Sequence, residues 1–466
     1  MNKKIFGFVL LILFSLVTKA DELNFDQLVE IGLENNLEVV EKRDAIRDIE
    51  RERELLKSSL DWHFGFDGDI SFSDGPAFTS PVLDESEKNM NLSLSTTKTT
   101  KSGLSISSGL FLNDSKPLEF VDLDEKYSFR LNISKRLYPY LPTDIEKGFI
   151  QVDNQYLVAK VELERLKKEK EINWLEQYIN LIRIEDKMVN LALQYELAEE
   201  DLANVQAQKE IAEAGEEQIL MAEINLKEIE IQLEQLKVSY AQVLNSFANE
   251  LAINNEELSF SQGDSSVDKL IRKAEAIDIN FRDKEVEKML INNNIQLKNL
   301  NINIEYALKE LEWKKKEDGL KVDGSAGYNY DSSLDDDKDS VNLTLGFSYD
   351  FYDGGSSKLN LKGMEDRIES LEIQYNNTLK ELKLQYDSLL EQYRINNMRL
   401  QTNELSLQKA ELELLLYQKQ LEQGAITDSQ YQELSLQTEQ AEIELREIKD
   451  KLILDKLRIA LFLGVL

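Results

Sequence analysis

Cysteine is absent from the 466-residue chain, and His63 is its only histidine. Without cysteine there is no disulfide framework, no thiolate nucleophile and no cysteine zinc site. A Ser-His-Asp triad or a histidine metal cage would depend on one imidazole. His63 lies in a strand pattern without a nucleophile or metal partner nearby, so we expect no enzyme, no cofactor and no metal site.

Positive charge is also scarce, because 55 Lys and Arg residues stand against 88 Asp and Glu residues, a formal charge of -33. Binding of nucleic acid depends on clustered Lys and Arg, so the composition argues against a nucleic-acid partner. Hydrophobic residues make up 42% of the chain, which is enough for an ordered core.

Proline and glycine are rare and unevenly placed. All five prolines lie between residues 76 and 142. Glycine occurs twice from 149 to 318 and once from 364 to 463. Because proline and glycine interrupt helices most strongly, residues 149–318 and 364–463 are predicted to hold exceptionally long helices.

The leucines of residues 401–421 cover more than one narrow stripe of the predicted helix. A helix with two apolar flanks can pack between two neighbours, as in a closed wall of helices. A buried bundle helix and an extended dimeric coiled coil are alternatives that the helical pattern alone leaves open.

Long hydrophobic runs are missing after the N-terminus. Residues 1–20 combine Lys3 and Lys4, an apolar run and a small-x-small ending, a pattern typical of a secretory signal peptide, with an uncleaved anchor as the alternative. Removal of three lysines leaves 52 basic and 88 acidic residues, a charge of -36. No later stretch has eighteen consecutive apolar residues, so a span through a membrane must use strands.

Alternation of apolar and polar residues predicts six strands. Such strands of about ten residues fit a transmembrane barrel with lipid outside and water inside. A soluble antiparallel sheet with one buried face uses the same alternation, but the signal peptide and the length of the helices favour the barrel. The segments are 62–72, 90–95, 104–112, 127–134, 320–330 and 341–351.

The order of helix, strands and long helical region occurs twice, which predicts an internal duplication whose units stack with further copies. The first repeat, 21–262, has a helix in 24–60, strands in about 61–137 and long helices in 143–262. The second repeat, 263–466, has a helix in 265–317, strands in about 320–352 and long helices in 356–463.

Four stretches carry a resemblance to the TolC family of outer-membrane efflux channels, over essentially all of residues 21–466: 23–36, 351–355, 421–433 and 459–464. The resemblance implies an α+β membrane protein. It would be a homotrimer whose twelve-stranded barrel lies among outer-membrane lipid and is continued by a long helical barrel in the periplasm. It also implies a periplasmic adaptor protein and an inner-membrane transporter as partners.

The same resemblance assigns roles to particular residues. Gly215 and Gly424 are expected to mark two helix-turn-helix tips that dock on the adaptor, and as helix breaks both are expected to need a positive φ. Glu433, with Asp428 nearby, would form an acidic ring at the periplasmic entrance; one more solvated helix charge is the alternative for Glu433. The tip residues are Ala214, Gly215, Glu216, Gln423, Gly424 and Ala425.

The predicted function is a passive exit duct of a tripartite efflux pump or a type I secretion system. The alternatives are an exported structural coiled-coil protein and a periplasmic adaptor of such a pump.

The first strand region holds four segments, whereas the second holds two. Either the hairpin at roughly 90–112 decorates the barrel, or the number of strands per subunit differs from that of the family. Asp335–Asp337 is expected to be a solvated exterior loop.

Overall fold

The computed structural model of the chain describes residues 24–73, 87–114, 126–211, 214–255, 258, 265–279, 281–332 and 338–466. The predicted signal peptide and the Asp335–Asp337 loop lie outside the described residues. None of the described helices is apolar over a length sufficient to cross a membrane.

Helices and strands alternate in blocks along the described chain. The first block has α1 (Phe25–Asn35), α2 (Leu37–Ser58), β1 (His63–Ser73), β2 (Glu87–Thr99), β3 (Ser105–Asp114), β4 (Lys126–Tyr138), α3 (Asp144–Glu210) and α4 (Glu216–Leu251). The second has α5 (Ser265–Glu275), α6 (Asp283–Asn293), α7 (Ile295–Glu317), β5 (Lys321–Asp331), β6 (Lys338–Ser348), α8 (Ser356–Glu422) and α9 (Asp428–Leu463).

The helix lengths repeat between the two blocks. Helices α3 and α8 each have 67 residues, and α4 and α9 each have 36. The pair α1–α2 has 11 and 22 residues, and the pair α6–α7 has 11 and 23. A duplicated unit accounts for this correspondence, although the two predicted repeats differ by one hairpin of the sheet.

Asparagine divides two helices that the sequence predicts as continuous. Asn36 separates α1 from α2, and Asn294 separates α6 from α7, each in an extended conformation. The side chain of Asn294 accepts from the amides of Gln296 (2.9 Å) and Leu297 (3.3 Å), which caps α7. Asn36 Nδ2 donates to the carbonyl of Glu250 (3.1 Å), a contact distant in sequence.

All six strands form one antiparallel sheet in the order β1-β2-β3-β4-β5-β6. Each predicted strand is present in the described residues, and β2 and β3 are longer than their weak alternation indicated. The pairing of β4 with β5 connects the two strand regions of the chain, and an irregularity in register occurs between Arg136 and Tyr138.

The chain divides into two compact units, each discontinuous in sequence. The first comprises residues 1–43, 161–298 and 377–466, and the second comprises 44–160 and 299–376, as far as they are described. The sheet belongs to the second unit. Both units draw on both predicted repeats, so the compact units do not coincide with the predicted domains.

The core of the first unit gathers around Trp174, which is fully buried with Phe25 and Leu251. Trp174 Nε1 donates to Glu250 Oε2 at 3.0 Å, which satisfies its buried N–H. Gly32 of α1 packs so closely here that a β-carbon would lie 2.5 Å from Leu251 Cδ2. The glycine therefore permits the close approach of α1 to the core.

Charged side chains also join α3 to α9 in the first unit. Arg183 donates to Asp450 at 2.7 Å and to Asp186 at 2.9 Å. Burial raises the pKa of Asp450, and the hydrogen bond and charge of Arg183 oppose that rise. Because a buried carboxylate without a partner is costly, Arg183 is what allows Asp450 to remain inside.

Candidate functional site

The turn between α8 and α9 is a Schellman motif centred on Gly424. Gly424 has a φ of 70°, in the left-handed region that favours glycine. Its amide donates to the carbonyl of Leu421 (2.9 Å), and the amide of Ala425 donates to that of Gln420 (2.8 Å). Gln423, Gly424 and Ala425 are all exposed. The sequence predicts the positive φ at this position correctly.

Helix α9 begins with a capping box. Thr427 Oγ1 accepts from the amide of Gln430 (3.3 Å), and Gln430 Oε1 accepts from the amide of Thr427 (3.0 Å). The side chain of Gln430 is therefore occupied in capping the helix. Asp428 is the first residue of α9, where a carboxylate interacts favourably with the helix dipole.

Gly215 lies in the other predicted turn, between α3 and α4, but its conformation differs from the expected one. Its φ is -89°, an extended conformation that any residue can adopt, so the expectation of a positive φ is wrong here. The amide of Gly215 donates to Gln218 Oε1 at 2.8 Å, and a β-carbon would meet nothing within 4 Å. Glu216 is the first residue of α4, and Ala214, which precedes the glycine, is half-buried.

The two candidate entrance carboxylates lie on the first turns of α9 and are exposed. Asp428 Oδ2 accepts from the side-chain Nε2 of Gln432 (2.7 Å), and Glu433 Oε1 accepts from the side-chain Nε2 of Gln437 (3.4 Å). These contacts are local along the helix, so both carboxylates are available to an approaching cation or partner. Their assignment to an entrance ring stays a prediction.

The sheet of the second unit has an apolar face and a polar face that run across all six strands. On β1 the apolar face carries Phe64, Phe66 and Ile70, and the register places Leu94 of β2 opposite Phe66. On β6 the same face carries the alternating residues from Val341 to Phe347. The alternation predicted from the sequence is therefore continued from one strand to the next.

Within the part of the chain that the structure describes, the apolar face is exposed rather than buried at both ends of the sheet. Phe64 is 75% exposed, and Leu343 is 81% exposed. A contiguous apolar surface of this kind marks contact with a membrane or a partner. It is the opposite of what a soluble sheet with one buried face would present.

Small and charged residues occupy the polar face. Asp69 of β1 accepts from Asn91 of β2 at 3.1 Å, and Arg136 of β4 donates to Asp323 of β5 at 3.2 Å. His63 shares this face, and its Nδ1 lies 3.0 Å from the carbonyl of Asp61. The polar face can therefore line water.

Helix α4 presents a second apolar surface that the sequence reading missed. Ile224, Ile231 and Val238 recur every seven residues and are 56–57% exposed. The half-buried residues Leu226 and Leu233 lie on the opposite side of the same helix. We call the exposed side the α4 stripe; its signal in the sequence was the seven-residue spacing.

Helix α8 has the same two-sided pattern. Leu405, Leu412 and Leu416 are exposed at 53–67%, and Leu407 and Leu414 on the other side are half-buried. The exposed set, called the α8 stripe, is one of the two apolar flanks that the spacing of residues 401–421 predicts. Both stripes are surfaces suited to a neighbouring helix.

Residues 287–465 match the family model described as Outer membrane efflux protein. This match covers α6 to α9 and includes the second pair of strands. No curated protein matches the sequence of the chain.

Solved outer-membrane proteins share the fold over nearly the whole chain. VceC from Vibrio cholerae has a TM-score of 0.62 at 12% identity, covering 94% of this chain and 96% of its own. The Campylobacter jejuni CmeC outer membrane channel has a TM-score of 0.63 at 14% identity, covering 96% and 86%. The open state of the Neisseria gonorrhoeae MtrE outer membrane channel has a TM-score of 0.57 at 11% identity, covering 95% and 89%.

The family model that residues 287–465 match and the solved structures that share the fold both describe outer-membrane efflux channels. The predicted resemblance to the TolC family is confirmed, and with it the predicted class of function and the outer-membrane location. The number of strands, which the sequence left open between four and six, is six in the described residues.

Proposed function

We propose that the chain is the passive exit duct of a tripartite efflux pump or a type I secretion machine, assembled from three copies. The observation that carries the proposal is the six-stranded sheet with an exposed apolar face and a polar face. Lipid would contact the apolar face and water the polar face. The long helices would continue the duct into the periplasm, and the energy would come from the transporter.

The α4 stripe and the α8 stripe support assembly from copies of the chain. Each stripe is apolar, exposed and set opposite a flank that already packs within the chain. Helices with two apolar flanks form closed walls, because each helix then has a neighbour on both sides. The duct therefore closes when the stripes of adjacent copies meet, and three copies is the number that the family resemblance implies.

The turns at residues 214–216 and 423–425 would dock on the adaptor. Both turns lie between a 67-residue helix and a 36-residue helix, and their glycines are exposed. The amide of Gly215 donates to the side chain of Gln218, and the amide of Gly424 donates to the backbone carbonyl of Leu421. A rigid, locally capped turn at the end of two long helices can present the same surface in every copy. The inner-membrane transporter would be reached through that adaptor.

Asp428 and Glu433 would set the charge of the entrance. Three copies would bring six carboxylates from these positions to one end of the duct. Such a ring attracts cations and repels anions, and its effect falls as salt screens it. The net charge of the chain predicts the same sign for the tunnel interior.

Conductance in planar bilayers tests the entrance. For Glu433→Gln we expect a lower preference for cations at low ionic strength, a difference that shrinks at 1 M salt because screening is then nearly complete. Glu422→Gln, at the exposed end of α8, is a matched control for loss of a single carboxylate. An unchanged cation preference in Glu433→Gln would remove this residue from the entrance.

A further inference from the structure

The hairpin formed by β2 and β3 lies between β1 and β4 in the sheet. Strand β2 pairs with β1 from His63–Thr97 to Ser73–Glu87, and β3 pairs with β4 from Ser105–Ser134 to Asn113–Lys126. The edges of the sheet are β1 and β6. A hairpin that only decorated a barrel would not separate β1 from β4.

The turn of this hairpin is tied to the start of α3. Thr143 Oγ1 donates to the carbonyl of Lys101 (3.3 Å), and Lys101 Nζ lies 4.4 Å from the ring centroid of Phe149. Within the turn, the amide of Thr100 donates to the carbonyl of Leu104 (2.9 Å), and Gly103 has a φ of 77°. The hairpin is therefore held at both its strands and its turn.

Both faces of the sheet continue through the hairpin. Leu94 of β2 and Leu110 of β3 are opposite one another on the apolar face, and Ser95 and Gly109 are opposite one another on the polar face. On the polar side the guanidinium of Arg130 lies 5.0 Å from the ring of Phe111, which joins β3 to β4. The hairpin thus has the same two-sided character as the four other strands.

The edge strands are complementary to one another. Because the strands alternate in direction and their number is even, β1 and β6 run in opposite directions, and both have 11 residues. The β6 edge of one copy can therefore pair antiparallel with the β1 edge of the next while the apolar faces stay on one side. In lipid such edges must be paired, since unpaired backbone groups are too costly there.

We propose that a second copy of the chain occupies each sheet edge and that the hairpin is part of the pore wall, so that three copies build an eighteen-stranded barrel. The inference rests on the proposed function. It departs from the twelve strands that the family resemblance implies. Because barrel diameter grows about linearly with strand number, the pore in the membrane would be roughly 1.5 times as wide as a twelve-stranded one.

Single cysteines test the place of the hairpin, because the chain has no native cysteine. Ser95→Cys and Leu94→Cys are neighbours on β2 that face opposite sides of the sheet. Thr344→Cys and Leu343→Cys on β6 are the matched pair outside the hairpin. Each purified full-length variant is recorded as single channels in planar bilayers, and a cationic, membrane-impermeant methanethiosulfonate is then added.

For Ser95→Cys and Thr344→Cys we expect the current to fall in up to three discrete steps as the copies react. For Leu94→Cys and Leu343→Cys we expect no change, because their thiols would face lipid. If Ser95→Cys and Leu94→Cys respond alike while the β6 pair differs, the hairpin is outside the wall and the inference is wrong. A native mass of two copies would give twelve strands and would overturn the count.

The outcomes separate this inference from the proposed function. A wild-type protein that forms no channel contradicts the duct and the eighteen-stranded wall together. If the wild type forms a channel of three copies but Ser95→Cys and Leu94→Cys respond alike, only the eighteen-stranded barrel is contradicted. Three current steps for Ser95→Cys support both.

Discussion

At the helix tips, two glycines in matching positions hold different backbone conformations. Gly424 is left-handed with a φ of 70°, whereas Gly215 is extended with a φ of -89°. Both lie in open space, so a methyl group would collide with nothing at either position. The difference between their alanine variants therefore isolates the cost of the backbone conformation.

We expect Gly424→Ala to destabilise its turn by about 1 kcal/mol, because an L-residue in the left-handed region is strained. Amide hydrogen exchange in peptides spanning residues 419–431 should become about fivefold faster. Gly215→Ala should change exchange around its own turn by less than about twofold. Equal effects at the two positions would contradict the assigned conformations.

Asp455 on α9 is a carboxyl whose pKa is raised, chiefly by burial, with the hydrogen bond from Asn396 opposing the rise. Asn396 Nδ2 donates to Asp455 Oδ2 at 2.7 Å. Because the folded protein binds this proton more tightly than the unfolded chain does, the stability contributed by Asp455 is fully present below its unfolded pKa. That contribution is lost as the pH rises through the raised pKa of the folded state.

Asp455→Asn should therefore be at least as stable as the wild type at pH 7, with a Tm higher by no more than about 4 °C. The advantage should shrink as the pH falls from 7 through the raised pKa of the folded state, where the wild-type carboxyl regains its proton. Differential scanning fluorimetry in detergent across this range measures it, with exposed Asp366→Asn as the control. A variant that loses stability relative to the wild type as the pH rises would have the wrong sign.

At the scale of the elements, the two-sided helices carry the account of assembly. Ile231 lies at the centre of the α4 stripe, 56% exposed, and Gln232 is an exposed neighbour outside the stripe. Substituting glutamate at each of these two positions adds the same charge, but only the substitution of Ile231 also removes an apolar contact.

We expect Ile231→Glu to weaken assembly, because it places a charge in an apolar helix–helix contact. Analytical ultracentrifugation in detergent should show smaller species at protein concentrations where the wild type is fully assembled. Gln232→Glu should assemble as the wild type does. Dissociation of both variants, or of neither, would remove the α4 stripe from the interface.

The elements that could be predicted from the sequence are those with a local sequence signal. The features that could not be predicted depend on contacts between residues distant in sequence. The strands in 61–137 and 320–352, the long helices and the positive φ of Gly424 all follow from alternation, missing glycine and turn chemistry. The breaks at Asn36 and Asn294 were not predicted, and the side chain of Asn36 is held by Glu250, far away in sequence. The helix propensity of a short stretch of sequence carries no information about such a distant contact.

The place of the β2–β3 hairpin shows the same limit. Alternation shows which residues of a strand share a face, but it does not show which strand lies alongside. The joining of the two strand regions depends on β4 and β5, which are separated by almost two hundred residues. For the candidate site, the turns at Gly215 and Gly424 were predicted from the sequence, and the role of Asp428 and Glu433 stays a prediction. The α4 stripe could be recognised only from the exposure of each side chain.

At the scale of the whole molecule, the absences in the composition agree with a conduit. A channel that moves cargo by pore geometry and charge needs no thiol or imidazole. The excess of acidic residues predicts a duct that favours cations, and in the proposed duct the two long-helix pairs would form the periplasmic part. Apolar surface remains exposed on the sheet and on α4 and α8, which supports the proposed assembly from several copies.

The most direct test of the assembled duct is fractionation of cells followed by detergent extraction and native mass spectrometry. We predict recovery from the outer-membrane fraction, solubility only with detergent, and a mass of three copies of the chain. Recovery of a monomer from the soluble periplasmic fraction would contradict the account.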